Sequence, residues 1–485
     1  MSVTAPVIPN RANVGYNEHK LDQLLKASQS SLEGQNKSVI VSFSQIIESV
    51  DPLSVLSFLT EKQQNLSLVQ PNELSFYWEN RGRKEAILGY GTTQYLSLNN
   101  SDRFTQSQAF IKDCWQKILR IGEQNLEESS PHFFCGFTFF VKNNNSSCPF
   151  PSAAVFLPKI QLIKRNNRCV LTLNILIDKQ TNIQEIIKKI QTQTKIISKV
   201  NTSSEYLFNL SPSIHPQTKY KMAQNFKASV ASALNSIKAN HFHKLVLAHA
   251  LDLKSPTDFS LINCLNNLRI SYPDCYVFAL NNGQGNCFIG ASPERLISIQ
   301  NQQLVTDALA GSSPRGKNKK NDDYLGQNLL KSEKERREHQ VVIDCITHRL
   351  FALGLTPQIS PLKLLKLSNI QHLWTPIYTQ LSPHIHPLEI VAKLHPTPAV
   401  SGFPTEITCE EIQRYETFER GLYAAPLGWI DYQGNSEFIV GIRSALISGN
   451  HARLYAGAGI VEGSEPDKEL AEIQLKFQAL LKALS

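Results

Sequence analysis

Two pairs of glutamates, Glu335/Glu338 and Glu469/Glu472, are the residues of this 485-residue sequence best spaced to act together. Residues three apart share a helix face, so each pair presents two carboxylates side by side. Taken singly, such a pair reads as a solvated helix face, because adjacent like charges gain nothing for a fold. Taken together, four carboxylates without sulfur make a donor set for a hard cation, Mg²⁺, which accepts one or two carboxylates plus water and substrate oxygens. The partner of such a centre is an anionic substrate. Lys476 falls on the face of Glu469 and Glu472, where it either pairs with Glu472 or meets a substrate carboxylate. Arg443 suits a bidentate carboxylate contact, and the run Ala456-Gly457-Ala458-Gly459 lets backbone amides approach an anion. Lys244 and Glu294 stand at strand ends, where charged residues are ordinarily at the surface, and are candidates for base and acid.

Helices and strands must bring these residues together. Apolar positions at helical spacing predict one long helix over 323–353, carrying the first glutamate pair, and another from Asp467 to Leu484, carrying the second. Leu245–Ala248 reads as a strand. Cys275–Leu280 and Cys287–Gly290 form a hairpin around Asn281-Asn282-Gly283, and Phe438–Ile442 with Ala452–Ala456 a second around Ser448-Gly449-Asn450. Helices are predicted over 183–200, 217–238 and 260–270, and strands over Val39–Phe43 and Phe133–Val141. Val170–Leu176 alternates as a half-buried strand does, and Asn143–Ser147 is a loop. Residues 1–35 are polar and are expected to form a variable segment, mobile at its start. Hairpins outnumber βαβ units, so the fold class is α/β of the α+β kind, with antiparallel sheets inside and helices outside.

Composition narrows the class of protein. With 41% hydrophobic residues there is ample material for a large core. The nine cysteines are scattered without a CxxC spacing, which points to buried thiols in a reducing compartment and away from zinc. The N-terminus lacks a secretory or transit pattern, and no apolar run approaches the roughly 18 residues that span a bilayer. The expected location is therefore cytoplasmic, with no membrane association. A net charge of +8 is mild over this length and is interleaved with acids, so nucleic acid is not an expected partner. No long exposed apolar seam is evident, which favours a monomer without an obligate protein partner.

Nine stretches carry a resemblance to a known family: KLVLAHAL (244–251), FIGASPERL (288–296), ALAGSSPRG (308–316), ERREHQVVID (335–344), IQHLW (370–374), LHPTPAVSGFP (394–404), ERGLYAAPLGW (419–429), FIVGIRSALI (438–447) and LYAGAGIVEGSEPDKELAEIQLK (454–476). In order and spacing they resemble the chorismate-utilising enzymes, whose members form isochorismate, salicylate, anthranilate or aminodeoxychorismate. Before residue 230 the likeness is thinner. The resemblance implies one large domain of two intertwined subdomains, organised as a variable segment (1–35), an N-terminal part of the fold (36–225) and a chorismate-binding catalytic region (226–485). It implies chorismate as substrate and Mg²⁺ as cofactor, with Glu338 and Glu472 as direct ligands and Glu335 and Glu469 acting mainly through water. Arg443, Tyr455, Gly459 and Lys476 would hold the substrate carboxylates, Gly311 and Ser312 would line the site, and His372 would lie near the ring.

The same resemblance selects a reaction. Lys244 matches the general base of the members that use water. Ala310 stands where the aminodeoxychorismate-forming members carry a nucleophilic lysine, and its methyl group cannot form that covalent intermediate. Ala399 stands where salicylate-forming members tend to have threonine. The implied activity is Mg²⁺-dependent isomerisation of chorismate to isochorismate, with salicylate formation as the alternative; the product would feed a quinone, siderophore or salicylate route. Lys244 would deprotonate water for attack at C2, and Glu294 would protonate the departing C4 hydroxyl. A free lysine has a pKa of about 10.4, which burial and a nearby cation should lower, while burial should raise that of Glu294. Ser312-Ser313 departs from the threonine common beside the glycine in relatives, which bears on substrate affinity.

Overall fold

The computed structural model describes residues 18–30, 38–61, 73–141, 147–200, 215–216, 219–368 and 370–484. Among them, two large sheets of 13 and 10 strands form the core. Nearly every connection in the sheets is antiparallel, as expected from the hairpins. Val39–Ile47 with Ile118–Gly122 is the one parallel pair among the described strands. The strand that begins at Lys244, Lys244–Lys254, pairs along its full length with His451–Val461. From there the first sheet runs through Ser444–Ser448, Asn286–Ser292 and Tyr276–Asn281 to Ser75–Asn80. The second sheet contains Gln303–Pro314 against Ile370–Gln380, then Arg295–Gln300, Ser436–Val440, Pro426–Asp431 and His132–Phe137. Aromatic side chains join the two, with Phe76 of the first sheet stacked on Phe134 of the second at 4.8 Å between ring centres.

Helices cover the outside. Glu333–Phe351 packs on Gln303–Pro314, and Pro466–Leu484 on His451–Val461, so each glutamate pair faces the end of one sheet. Leu261–Ser271 begins at Ser260, whose side chain accepts from Asn263 N, as an N-cap should. Ile183–Ser198 buries Ile183, Ile186, Ile187, Ile190 and Ile197, the residues whose spacing predicts it. Lys219–Lys238 covers the described part of the helix expected over 217–238. No helix among the described residues is long and apolar enough to cross a membrane.

Several expectations need correction. The helix expected over 323–353 is two helices, Lys319–Lys331 and Glu333–Phe351, broken at Ser332. Ser332 has extended backbone, and its hydroxyl accepts from Glu335 N at 3.4 Å, so it starts a helix instead of continuing one. The second hairpin is Ser444–Ser448 with His451–Val461. The strand Ser436–Val440, expected to be its first arm, belongs to the other sheet. Only His132–Phe137 of the strand expected over Phe133–Val141 forms. Beyond it the Phe139 and Phe140 carbonyls are taken by the buried Arg103 guanidinium. Arg168–Ile177 is buried on both faces, not half-buried: its polar Asn174 is accommodated inside because its amide donates to Pro158 O at 2.8 Å. Within residues 1–35, for which no element was expected, Glu18–Ser30 is a helix with Leu21 and Leu25 buried. Residues 1–17, 31–37 and most of the loop expected over 143–147 lie outside the described residues.

Candidate active site

The chain passes from the first sheet to the second, and back again, at two adjacent points. Asn286–Ser292 leads through Pro293-Glu294 into Arg295–Gln300, and Ser436–Val440 leads through Gly441-Ile442-Arg443 into Ser444–Ser448. The crossings are tied together: Val440 N donates to Glu294 O at 3.1 Å, Ala291 N to Arg443 O at 3.1 Å, and Ser292 Oγ to Val440 O at 2.6 Å. Arg443 adopts the left-handed backbone, with φ of 49°, a conformation that costs a non-glycine residue about 1–2 kcal/mol. The neighbouring Ala424 does the same at 59°. Such strain is tolerated where surrounding hydrogen bonds over-determine it, and here it turns the chain at Arg443, at the seam between the sheets.

A cavity of about 160 Å³ opens at this seam. Glu294, Gly311, Ser312, Glu335, Glu338, His372, Ala399, Arg443, Tyr455, Gly459, Glu469, Glu472 and Lys476 all line it. Lys244 lies just behind the wall, 2% exposed, with Nζ 2.8 Å from Glu338 Oε1. The structure thus brings together every residue singled out from the sequence. Lys334, Tyr423, Ala424 and Ile442 also line the cavity and were missed. Lys334 adjoins Glu335, and Tyr423 lies in the quoted stretch 419–429, so adjacency to the motifs was the available signal. Tyr423 stacks on Tyr455 with ring centres 5.2 Å apart.

Gly311 shows how the local sequence shapes the wall. The ladder between Gln303–Pro314 and Ile370–Gln380 shifts register between Ala310 and Ser312, and Gly311 absorbs the bulge with φ of 75°. The bulge turns Ser312 N toward Glu335 Oε2 at 3.2 Å, and Ser312 Oγ donates to Glu472 Oε1 at 3.4 Å. One short loop therefore meets a carboxylate from each helix. A Cβ at Gly311 would sit 3.0 Å from Glu335 Oε2. Gly311→Ala should therefore lose about 1–2 kcal/mol of stability from the backbone alone, read by urea denaturation; an unchanged midpoint and slope would contradict the strained geometry. Gly459 works by close approach: a Cβ there would lie 3.0 Å from Glu338 Oε1 and 3.3 Å from Lys244 Cε. Past Tyr455, the last residue paired with Ser444, the outer edge of this strand has no neighbouring strand among those described and becomes cavity wall.

The electrostatics are those of crowded carboxylates. Burial raises the pKa of Glu335, and Glu338 and Glu472 add repulsion; burial likewise raises that of Glu469, again with Glu472 and Glu338 contributing. Burial would raise Glu472 too, but Lys476, with Nζ 2.7 Å from Glu472 Oε1, together with the Ser312 hydrogen bond and Lys334, makes the net shift downward. Lys476 also donates to Gly457 O at 2.6 Å. Glu294 is pushed up to about 8, chiefly by burial, against the opposing charge of Lys244. His372 is lowered to about 3 by burial and by Arg443. It is therefore neutral, and since Arg443 can only donate, His372 Nε2 accepts from Arg443 Nη2 at 3.3 Å and the ring proton is assigned to Nδ1. Arg443 Nη1 is buried with no hydrogen-bond partner, and Arg443 has no carboxylate partner among the described residues. A guanidinium in that state is a site for an anion entering the cavity.

Four mutually repelling carboxylates on one cavity are chemically suited to a hard cation. Among the described residues no three acidic, histidine or cysteine side chains converge as a ready-made metal cage. Glu338 and Glu472 are turned instead toward Lys244 and Lys476. The donor set fits Mg²⁺, then, provided those two ion pairs open.

Comparison with known proteins agrees with the geometry. The sequence profile of the family described as "Chorismate binding enzyme" matches residues 23–485. Isochorismate synthase MenF of Bacillus subtilis (strain 168) is 31% identical over 469 residues, covering 93% of this chain and 94% of its own. The salicylate biosynthesis isochorismate synthase of Pseudomonas aeruginosa is 40% identical over 263 residues, covering 54% of this chain and 55% of its own. The solved structure of MenF, the menaquinone-specific isochorismate synthase from Escherichia coli, superposes with a TM-score of 0.74 at 26% identity, covering 97% of this chain and 100% of that one. With a profile match and a relative that each run nearly end to end, the chain belongs to the family of chorismate-binding enzymes.

Proposed function

We propose that this chain is an isochorismate synthase, adding water at C2 of chorismate with loss of the C4 hydroxyl. The observation that carries the reading is the pairing, at one cavity, of a buried lysine with a glutamate whose pKa is raised to about 8. A lysine and a carboxylic acid so placed suit an addition and an elimination that exchange one proton each way.

Lys244 takes a proton from water as the water oxygen attacks C2, both ring double bonds shift in turn toward C4, and the C4–O bond breaks. Glu294 gives its proton to that oxygen, so water leaves instead of hydroxide. Net composition is unchanged, and proton return from Lys244 to Glu294 resets the site. Arg443, Tyr455, Gly459 and Lys476 hold the two carboxylates of the substrate, Gly311 and Ser312 shape the wall beside it, and neutral His372 lies near the ring. Glu338 and Glu472 would hold Mg²⁺ directly, with Glu335 and Glu469 through water. When bound, the cation would neutralise the crowded carboxylates and anchor the ring carboxylate. Ala399, with no hydroxyl to offer, favours release of isochorismate over pyruvate elimination to salicylate. A monomer without an obligate partner, working in the cytoplasm, completes the proposal; its nine free thiols support a reducing compartment.

Incubation with chorismate and Mg²⁺, followed by product separation, tests the activity: isochorismate should accumulate, and salicylate with pyruvate would assign the alternative reaction. Metal binding has its own readout. Mg²⁺ should raise the melting temperature of the wild type by a few degrees, roughly the effect of a ligand at 100 times its Kd, and should leave Glu338→Gln/Glu472→Gln unmoved. Equal shifts in both proteins would remove these glutamates from the metal site. Light scattering at assay concentration checks the monomer.

A further inference from the structure

We propose that Arg420, together with Glu416, is a positioning residue that fixes the spacing between the Lys244 strand and the Ala399 loop; this rests on the reading of Lys244 as base. Along one edge Lys244–Lys254 is fully paired with His451–Val461. Along the other, strand pairing near the site is limited to Lys244 and Leu245, opposite Phe403 and Gly402. Past that point one backbone bond remains, Val246 N donating to Ser401 O at 2.9 Å, and beyond it two side chains stand in for a strand. Val246 O accepts from Arg420 Nη2 at 2.8 Å, and Ala248 N donates to Glu416 Oε1 at 2.8 Å.

The same guanidinium reaches the opposite wall. Arg420 Nη1 donates to Val400 O at 2.7 Å, and its Nε donates to Glu416 Oε2 at 2.9 Å. Val246 and Val400 both line the cavity, while neither Arg420 nor Glu416 does. One rigid plane of donors therefore spans two wall segments, two residues from Lys244 on one side and one residue from Ala399 on the other. The side chains of Arg420 and Glu416 are 1% and 3% exposed, and Arg420 lies over the Phe139 ring at 4.5 Å from its centre. Held along its edges by these hydrogen bonds and covered by the Phe139 ring, the guanidinium transmits position from outside the cavity.

A lysine can keep the charge opposite Glu416 but is a single point, unable to hold both carbonyls in one plane. An ion pair that only stabilised the fold would, when weakened, reduce the amount of folded enzyme and leave each folded molecule at full rate. A spacer between base and wall predicts the reverse. With chorismate and Mg²⁺, Arg420→Lys should lose about 10–100-fold in kcat per folded molecule, the scale of a misplacement near 1 Å, with KM within about threefold of wild type because Arg443 and Tyr455 are untouched. Glu416→Gln keeps the acceptor for Ala248 N but turns an amide toward Arg420 Nε. It should move kcat in the same direction by a smaller factor, and it decides the matter by the same criterion if Arg420→Lys does not fold. A kcat per folded molecule within twofold of wild type, or a rise in KM at constant kcat, overturns the proposal. Wild type and Lys244→Ala run alongside separate the two readings: inactive wild type refutes the activity, whereas active wild type, inactive Lys244→Ala and a normal Arg420→Lys refute only the positioning role.

Discussion

Lys244→Ala should lower chorismate turnover by about 10²–10⁴-fold, the usual contribution of a positioned general base. The loss should fall on kcat, since Arg443, Tyr455 and Lys476 remain to bind the carboxylates. Lys244 is buried and holds Glu338 Oε1 at 2.8 Å, so the variant also leaves a carboxylate unpaired. Breaking a buried pair from one side typically costs about 3–5 kcal/mol, and Mg²⁺ at the same carboxylates should restore part of it. Circular dichroism and a melting curve, with and without Mg²⁺, separate that effect from catalysis. Full turnover by a folded Lys244→Ala protein would end the mechanism proposed for this site.

Glu294 gives the second large effect, with a direction in pH. Its carboxyl, raised to about 8 chiefly by burial, is protonated at neutral pH and loses its proton as pH climbs through that value. A general acid works only while it holds its proton, so kcat should be level below about pH 7 on this account and fall tenfold per unit well above 8. Glu294→Gln cannot deliver a proton, should cost about 10²–10⁴-fold in kcat, and should abolish the alkaline limb. If the limb survives in Glu294→Gln, another group is the acid.

The site was more legible in the sequence than the fold that builds it, for identifiable reasons. Helical spacing alone put Glu335 with Glu338 and Glu469 with Glu472, because three-residue periodicity is local. The break at Ser332 was also written there, as Ser332-Glu333-Lys334-Glu335, the start signal of a capped helix. It was hidden because residues 331–340 carry no apolar side chain, so the periodicity on either side does not mark where one helix ends and the next begins. The sheet change at Gly441-Ile442-Arg443 had no local signature: Phe438–Ile442 is a continuous apolar run like many buried strands, and which sheet takes it depends on partners at 295–299 and 426–430. Lys334 and Tyr423 were missed because nothing in their own spacing distinguishes a cavity-facing lysine or tyrosine from a solvated or core one. Arg420 is of the same kind, since its role lies in the carbonyls that the fold brings to it.

Both sheets are stitched between distant parts of the chain. Tyr276–Asn281 finds its outer neighbour in Ser75–Asn80, and Pro426–Asp431 in His132–Phe137. A protein cut to residues 226–485 would keep all the chemistry-bearing motifs, yet it would present two bare β edges, rich in aromatic and branched residues, to solvent. Such edges template pairing with other chains. During synthesis the strands near residues 75 and 132 pair early on one edge but must wait for second partners made some 200 to 300 residues later, so the nascent chain is exposed to misassembly until its last third has emerged. Expression of a minimal catalytic fragment should therefore yield aggregate, and soluble enzyme should need both halves, supplied together.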